Sequence, residues 1–199
     1  MDEVRSLAVC RNVLGEGPVW CPETRVLWWI DISNPALWRL DHATGKAETW
    51  PLPKPPGSFA LREKGGFFFA FRAGPAVLDR PGGTGRFWSG TLDRRVSSPI
   101  GHLYRFDGTS RASQMMGGVT LGNGMGWSPD NRTMYFSDTA TKSIYAFDFD
   151  FASGAIANKR VFVQVAPGHG GPDGMTVDAE GFVWSCQFDR WCINRYAPD

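Results

Sequence analysis

Apolar residues in this chain come in short runs and alternations. Clusters of Gly, Pro, Asp or Asn break them every 8–12 residues or so, the spacing of short strands joined by turns. Helical spacing is never sustained, because Gly or Pro interrupts every candidate within about three turns. The Ser153-Gly154-Ala155-Ile156-Ala157 stretch reads as a turn between strands. The pattern also repeats. Trp20-Cys-Pro-Glu-Thr-Arg-Val-Leu-Trp-Trp-Ile-Asp31 superimposes on Trp127-Ser-Pro-Asp-Asn-Arg-Thr-Met-Tyr-Phe-Ser-Asp138, and ten positions further each copy reaches a second acid, Asp41 or Asp148. A third copy runs from Asp173 through Trp184 to Tyr196, and weaker ones cover Phe59–Phe69 and Gly85–Gly108. Asn123 and Asp173, at equivalent places, lie 50 residues apart, close to the ~40–50 residue period of propeller blades. The prediction is an all-β protein built as a β-propeller. A sandwich gives similar strand spacing, but does not put one motif at the head of every well-preserved copy.

That motif is an oxygen-bearing side chain directly before glycine: Glu16-Gly17, Asn123-Gly124 and Asp173-Gly174. In a propeller the first strand of each blade lines the channel, so equivalent positions face one axis. Three oxygens and two formal charges are what a hard divalent cation prefers, and glycine allows the backbone to turn the side chain inward. The alternative is that the same residues merely cap strand starts, as Asn and Asp do in turns. Asp31, Asp41, Asp138 and Asp148 are expected in turn or blade-to-blade hydrogen bonds. Trp28-Trp29 and Phe67-Phe68-Phe69 are expected between blades.

Composition narrows the function classes. With 199 residues, 42% of them hydrophobic, the chain can bury one sizeable core, so a single domain over 1–199 is expected. A net charge of +1 with no basic cluster argues against nucleic acid as a partner. The acidic Met1-Asp2-Glu3 start and the lack of any long apolar run predict no signal peptide, no membrane association and a cytoplasmic location. Cys10, Cys21, Cys186 and Cys192 lack zinc spacing and read as buried or half-buried free thiols. His42, His102 and His169 are scattered, with His169 a loop residue close to Asp173. Neither a GxSxG nor an HExxH motif occurs.

Three segments resemble the signatures of the SMP-30/gluconolactonase/regucalcin family: Leu14-Gly-Glu-Gly-Pro-Val-Trp20, Asn123-Gly-Met-Gly-Trp-Ser128 and Pro172-Asp-Gly-Met-Thr-Val-Asp178. Phe59–Arg62, Gly85–Thr91 and Ala179–Trp184 are similar to further family segments, so the resemblance covers almost the whole chain. It implies a six-bladed propeller, here incomplete at about four to five blades. It also implies one divalent metal ion, Ca²⁺ or Zn²⁺ first and Mg²⁺ or Mn²⁺ next, held by Glu16, Asn123 and Asp173. The implied reaction is hydrolysis of a sugar lactone to the aldonic acid, with Asp173 as general base.

Two departures from the family pattern matter. No Arg-Phe-Asn-Asp-Gly-type segment precedes Gly85, so an internal segment near 79–85 that helps line the substrate pocket is missing, as is the C-terminal blade. Arg95 also stands near where some members carry an acidic residue. These departures leave two alternatives to lactone hydrolysis: a non-catalytic, calcium-binding propeller and an interaction scaffold. Self-association through open blade edges is expected as well.

Overall fold

The computed structural model describes residues 6–61, 67–71, 74–75, 86–92, 95–107 and 112–198. The expected missing segment near 79–85 lies outside these residues. All regular structure among them is β: seventeen strands in five sheets, each an antiparallel meander of consecutive strands. Among the described residues, no helix is long and apolar enough to cross a membrane. The chain divides into two compact units, Met1–Pro81 and Gly82–Asp199, described in turn.

In the first unit, β1 (Gly15–Cys21), β2 (Val26–Asp31), β3 (Ala36–Asp41) and β4 (Ala47–Pro51) form one sheet. The strands β5 (Pro56–Leu61), β6 (Phe67–Phe71) and β7 (Gly74–Pro75) form the second. Ile30, Leu37 and Phe59 are buried together, with Val19, Trp28, Phe67 and Phe69 packed against them. Trp28 meets Phe67 edge-on at 4.6 Å between ring centroids, and Trp29 stacks on Trp38 at 5.8 Å. Trp28 and Phe67 therefore pack between sheets, as the pattern predicts.

In the second unit, β8 (Phe87–Gly90), β9 (Gly101–Phe106) and β10 (Ala112–Val119) make a three-stranded sheet. It is followed by the four-stranded β11 (Gly122–Trp127), β12 (Thr133–Asp138), β13 (Ser143–Asp150) and β14 (Ala155–Gln164). The last sheet is β15 (Gly171–Val177), β16 (Val183–Phe188) and β17 (Cys192–Tyr196). Strand β12 shows why these sheets stack. Its Met134 and Phe136 join Trp88, Leu103 and Val119 on one side, while Tyr135 joins Ile144 and Val183 on the other. Side chains alternate along a strand, so a strand apolar on both faces belongs to a sheet covered on both sides. By its place in the repeat, β8 is the counterpart of β2, β12 and β16. The counterpart of the first strand, β1, β11 or β15, is not among the described residues of that sheet.

The repeated acids divide by role. Asp31 is fully buried, and its carboxylate accepts the backbone N–H groups of Val13, Leu14, Ser33 and Asn34 at 2.8–3.1 Å. Asp138, 1% exposed, does the same for Thr120, Leu121 and Ala140 at 2.8, 3.0 and 3.2 Å. Each clips the entry of a first strand to the turn that leaves the second. Burial raises the Asp31 pKa, but these donors outweigh it and hold the group below its usual value. Asp41 caps the turn at Ala43 and Thr44. Asp148 instead pairs with Arg160 across the exposed β13–β14 hairpin. At the Asp31/Asp138 position the third copy has Phe188, opposite Gly171 as Asp138 is opposite Gly122.

Candidate functional site

Each strand carrying a candidate ligand is irregular at that residue. Pairing slips by one residue between Glu16 and Val19, between Gly122 and Met125, and between Pro172 and Met175. The repeated acid/amide–glycine pair therefore marks a β-bulge. A bulge adds one unpaired residue, bends the strand and re-aims a side chain, a common device next to functional sites. Gly17 needs the freedom of glycine, at φ 58°. Gly124 has a different reason. A Cβ there would lie 2.5 Å from the Asp173 carbonyl oxygen and 2.7 Å from the Met175 nitrogen. Only a bare backbone lets β11 and β15 approach this closely.

That approach brings two of the three candidate ligands together. The Asn123 amide faces the Asp173 carboxylate and favours its charged form. Asn123 Nδ2 also reaches Thr139 Oγ1 at 3.4 Å, and Thr139 Oγ1 donates to the Pro172 carbonyl at 2.7 Å. Ser137 Oγ donates to the Asp173 carbonyl at 2.9 Å, tying the end of β12 to the bulge of β15. Both Asn123 and Asp173 are half-buried. Burial pushes the Asp173 carboxyl above its usual pKa, and Asn123 and the Gly174 N–H only partly offset it. Glu16 is half-buried on β1 of the first unit.

The donor set suits a hard cation. With the Asn123 nitrogen turned to Thr139, its carbonyl oxygen is the atom left for an ion. A half-buried carboxylate with a raised pKa gains most from a positive charge. Among the described residues, no three His, Cys, Asp or Glu side chains form a metal-holding group, so the set depends on the amide of Asn123.

Sequence reasoning missed Thr139 and Ser137, which position the pair from β12 and the turn after it. Their signal was the Ser137-Asp138-Thr139 run ending the second copy. It also missed Gln187, opposite Pro172, whose Oε1 is buried with no partner among the described residues. His169 is exposed, with its backbone N–H on Ala166. The thiol reading needs correction in part. Cys10 and Cys21 are half-buried, but Cys186 is exposed on the outward face of β16, and Cys192 is exposed at the start of β17, opposite Gln187.

Antiparallel meanders stacked face on face, with a polar cluster at the bulged heads of first strands, define an all-β protein of the propeller class. The chain belongs to the SMP-30/gluconolactonase/LRE-like family, which its residues 14–84 and 80–199 match. It is 37% identical to a 6-deoxy-6-sulfogluconolactonase of Pseudomonas putida, over 94% of this chain and 73% of the relative. It is 32% identical to an L-arabinolactonase of Azospirillum brasilense, over 97% and 73%. Among solved structures, a calcium-binding regucalcin of Agrobacterium tumefaciens aligns with a TM-score of 0.81 at 26% identity, covering 96% of this chain and 72% of that one. The chain spans about three quarters of the length of these relatives, and five sheets are described.

Proposed function

We propose that this chain hydrolyses a sugar lactone to the aldonic acid, using one divalent cation held by Glu16, Asn123 and Asp173. The observation that carries the reading is the Asn123–Asp173 pair at the heads of adjacent bulged strands, in a family with lactonases among its named members. A bound cation supplies Lewis acidity toward the lactone carbonyl oxygen, where negative charge grows as water adds. Asp173 orients that water and accepts its proton as the new C–O bond forms and the ring C–O bond breaks. Its raised pKa makes it a better base than a solvated carboxylate, to the extent that the metal leaves one oxygen free. Asn123 favours the charged carboxylate through its amide, and Thr139 fixes Asn123.

Lactone opening followed by pH-stat, with and without chelator, tests this directly. Turnover is expected to vanish with EDTA and to fall at least about 10²-fold in Asp173→Asn, the usual cost of a lost general base. Asn123→Ala is expected to weaken metal binding measured by calorimetry. Activity that survives both EDTA and Asp173→Asn refutes the mechanism. Metal binding without turnover returns the chain to the cation-binding alternative, a reading favoured by the lack of an Arg-Phe-Asn-Asp-Gly-type segment ahead of Gly85. Neither metal nor turnover leaves the interaction scaffold.

A further inference from the structure

Beside Asn123 and Asp173 lies an open cleft of about 250 Å³, lined by Thr139, Lys142, Gly170, Phe188, Asp189 and Arg190 among others. It adjoins the candidate site at two points. Thr139 lines the cleft and also bonds Asn123 and the Pro172 carbonyl. Gly171, another lining residue, is two residues before Asp173. The volume is below the roughly 300–1,000 Å³ of a whole-ligand pocket, so it suits a substituent better than a complete substrate.

The chemistry of the lining is cationic. Lys142 and Arg190 make no side-chain hydrogen bond or ion pair among the described residues, and they outnumber the lone carboxylate, Asp189. Arg190 is also positioned by the backbone around it. Gly168 and Gly170 sit at φ 82° and 81°, in the left-handed region that favours glycine. A Cβ on Gly170 would meet Phe188 O at 2.5 Å and Arg190 Cγ at 2.7 Å. The arginine stem thus lies against a loop that only glycine can form, with its guanidinium at the cleft. A guanidinium fork matches the paired oxygens of a phosphate, sulfonate or carboxylate, and an ammonium beside it adds a point charge.

We propose that this cleft is the subsite for an anionic substituent on the sugar, so that the chain prefers a negatively charged lactone to its neutral parent. The inference rests on the lactonase reading, with the ring at Asp173 and the charged tail between Lys142 and Arg190. Phosphate and sulfonate share the recognising chemistry, and the choice of substrate separates them.

The test compares kcat/KM for glucono-1,5-lactone with that for its 6-phospho and 6-deoxy-6-sulfo counterparts at fixed ionic strength. The proteins are the wild type, the Lys142→Met/Arg190→Gln double variant and Lys159→Met. Lys159, which lies over the Tyr145 ring, controls for simple loss of surface charge. The wild type should favour at least one charged lactone, and the double variant should lose about tenfold or more of that preference. Lys159→Met should keep it. A wild type without preference, or a double variant that retains it, overturns the proposal, as does an equal loss in Lys159→Met. If the wild type opens none of these lactones, calorimetry with 6-phosphogluconate decides. Binding lost only in the double variant sustains the cleft while the lactonase reading falls, and absence of binding overturns the cleft as well.

Discussion

Among single residues, the two buried clips carry the largest stakes. Replacing Asp138 with Ala leaves the N–H groups of Thr120, Leu121 and Ala140 without their acceptor. The expected loss is about 3 kcal/mol, from a buried charged acceptor and the donors it orphans. Asp148→Ala removes an exposed ion pair and should cost under about 1 kcal/mol. Urea midpoints of the two variants measure the difference, and equal midpoints contradict the assignment. Asp178 gives a pH signature instead. A bond from the Trp184 indole, together with Arg195 and two backbone N–H groups, lowers its pKa from 3.8 to about 2. The folded state therefore binds the proton less readily than the unfolded chain. The contribution is fully present above pH 3.8 and is lost as pH falls toward about 2. The gap in urea midpoint between wild type and Asp178→Asn should be constant from pH 7 to 5 and narrow below pH 4. A gap that widens on acidification shows the opposite sign of coupling.

At the scale of the strand, the bulge is the unit that places a ligand. Gly124→Ala drives a methyl group into the backbone of β15, and neither strand can yield without disturbing its own sheet. A loss of about 2 kcal/mol or more is expected, from overpacking against backbone. Metal affinity should weaken alongside, because Asn123 and Asp173 are forced apart. Calorimetric titration and thermal melting check the two effects, and unchanged metal affinity detaches the close approach from the site. Much of this level was legible in the sequence. Trp20–Asp31 and Trp127–Asp138 gave strand, turn and strand, and the acid/amide–glycine pairs marked first-strand heads. The bulge itself was not legible, because a glycine before an apolar run reads equally well as a turn. Thr139 was hidden for another reason: its role depends on β11 and β15 lying side by side, which no spacing in the chain encodes. The fourth strand of the first sheet, β4, was missed because its polar sequence lacks an apolar alternation, and the turn read at Ser153–Ala157 ends at Gly154, where β14 begins with Ala155.

For the whole molecule, the last sheet stands apart by the apolar surface it exposes. Trp184, Phe188 and Ile193 are 39%, 64% and 60% exposed, and Trp191 is fully exposed. Trp184 and Phe188 share the outward face of β16 with Cys186, which pairs with Ile193. Clustered apolar exposure of this kind marks an association surface or an aggregation liability. Concentration-dependent self-association is expected in sedimentation equilibrium, reduced in Phe188→Glu/Ile193→Glu. A wild type that stays monomeric across the accessible concentration range counts against it. The same sheet differs from its siblings in one more respect. Asp31 and Asp138 immobilise the amides just ahead of their first strands, but Phe188 offers nothing to the amide of Gly170, the counterpart of Leu14 and Leu121. In hydrogen exchange Gly170 should be labelled early and Leu121 late. The loop beside Arg190 is then free to breathe around an incoming ligand while the other two strand entries stay locked.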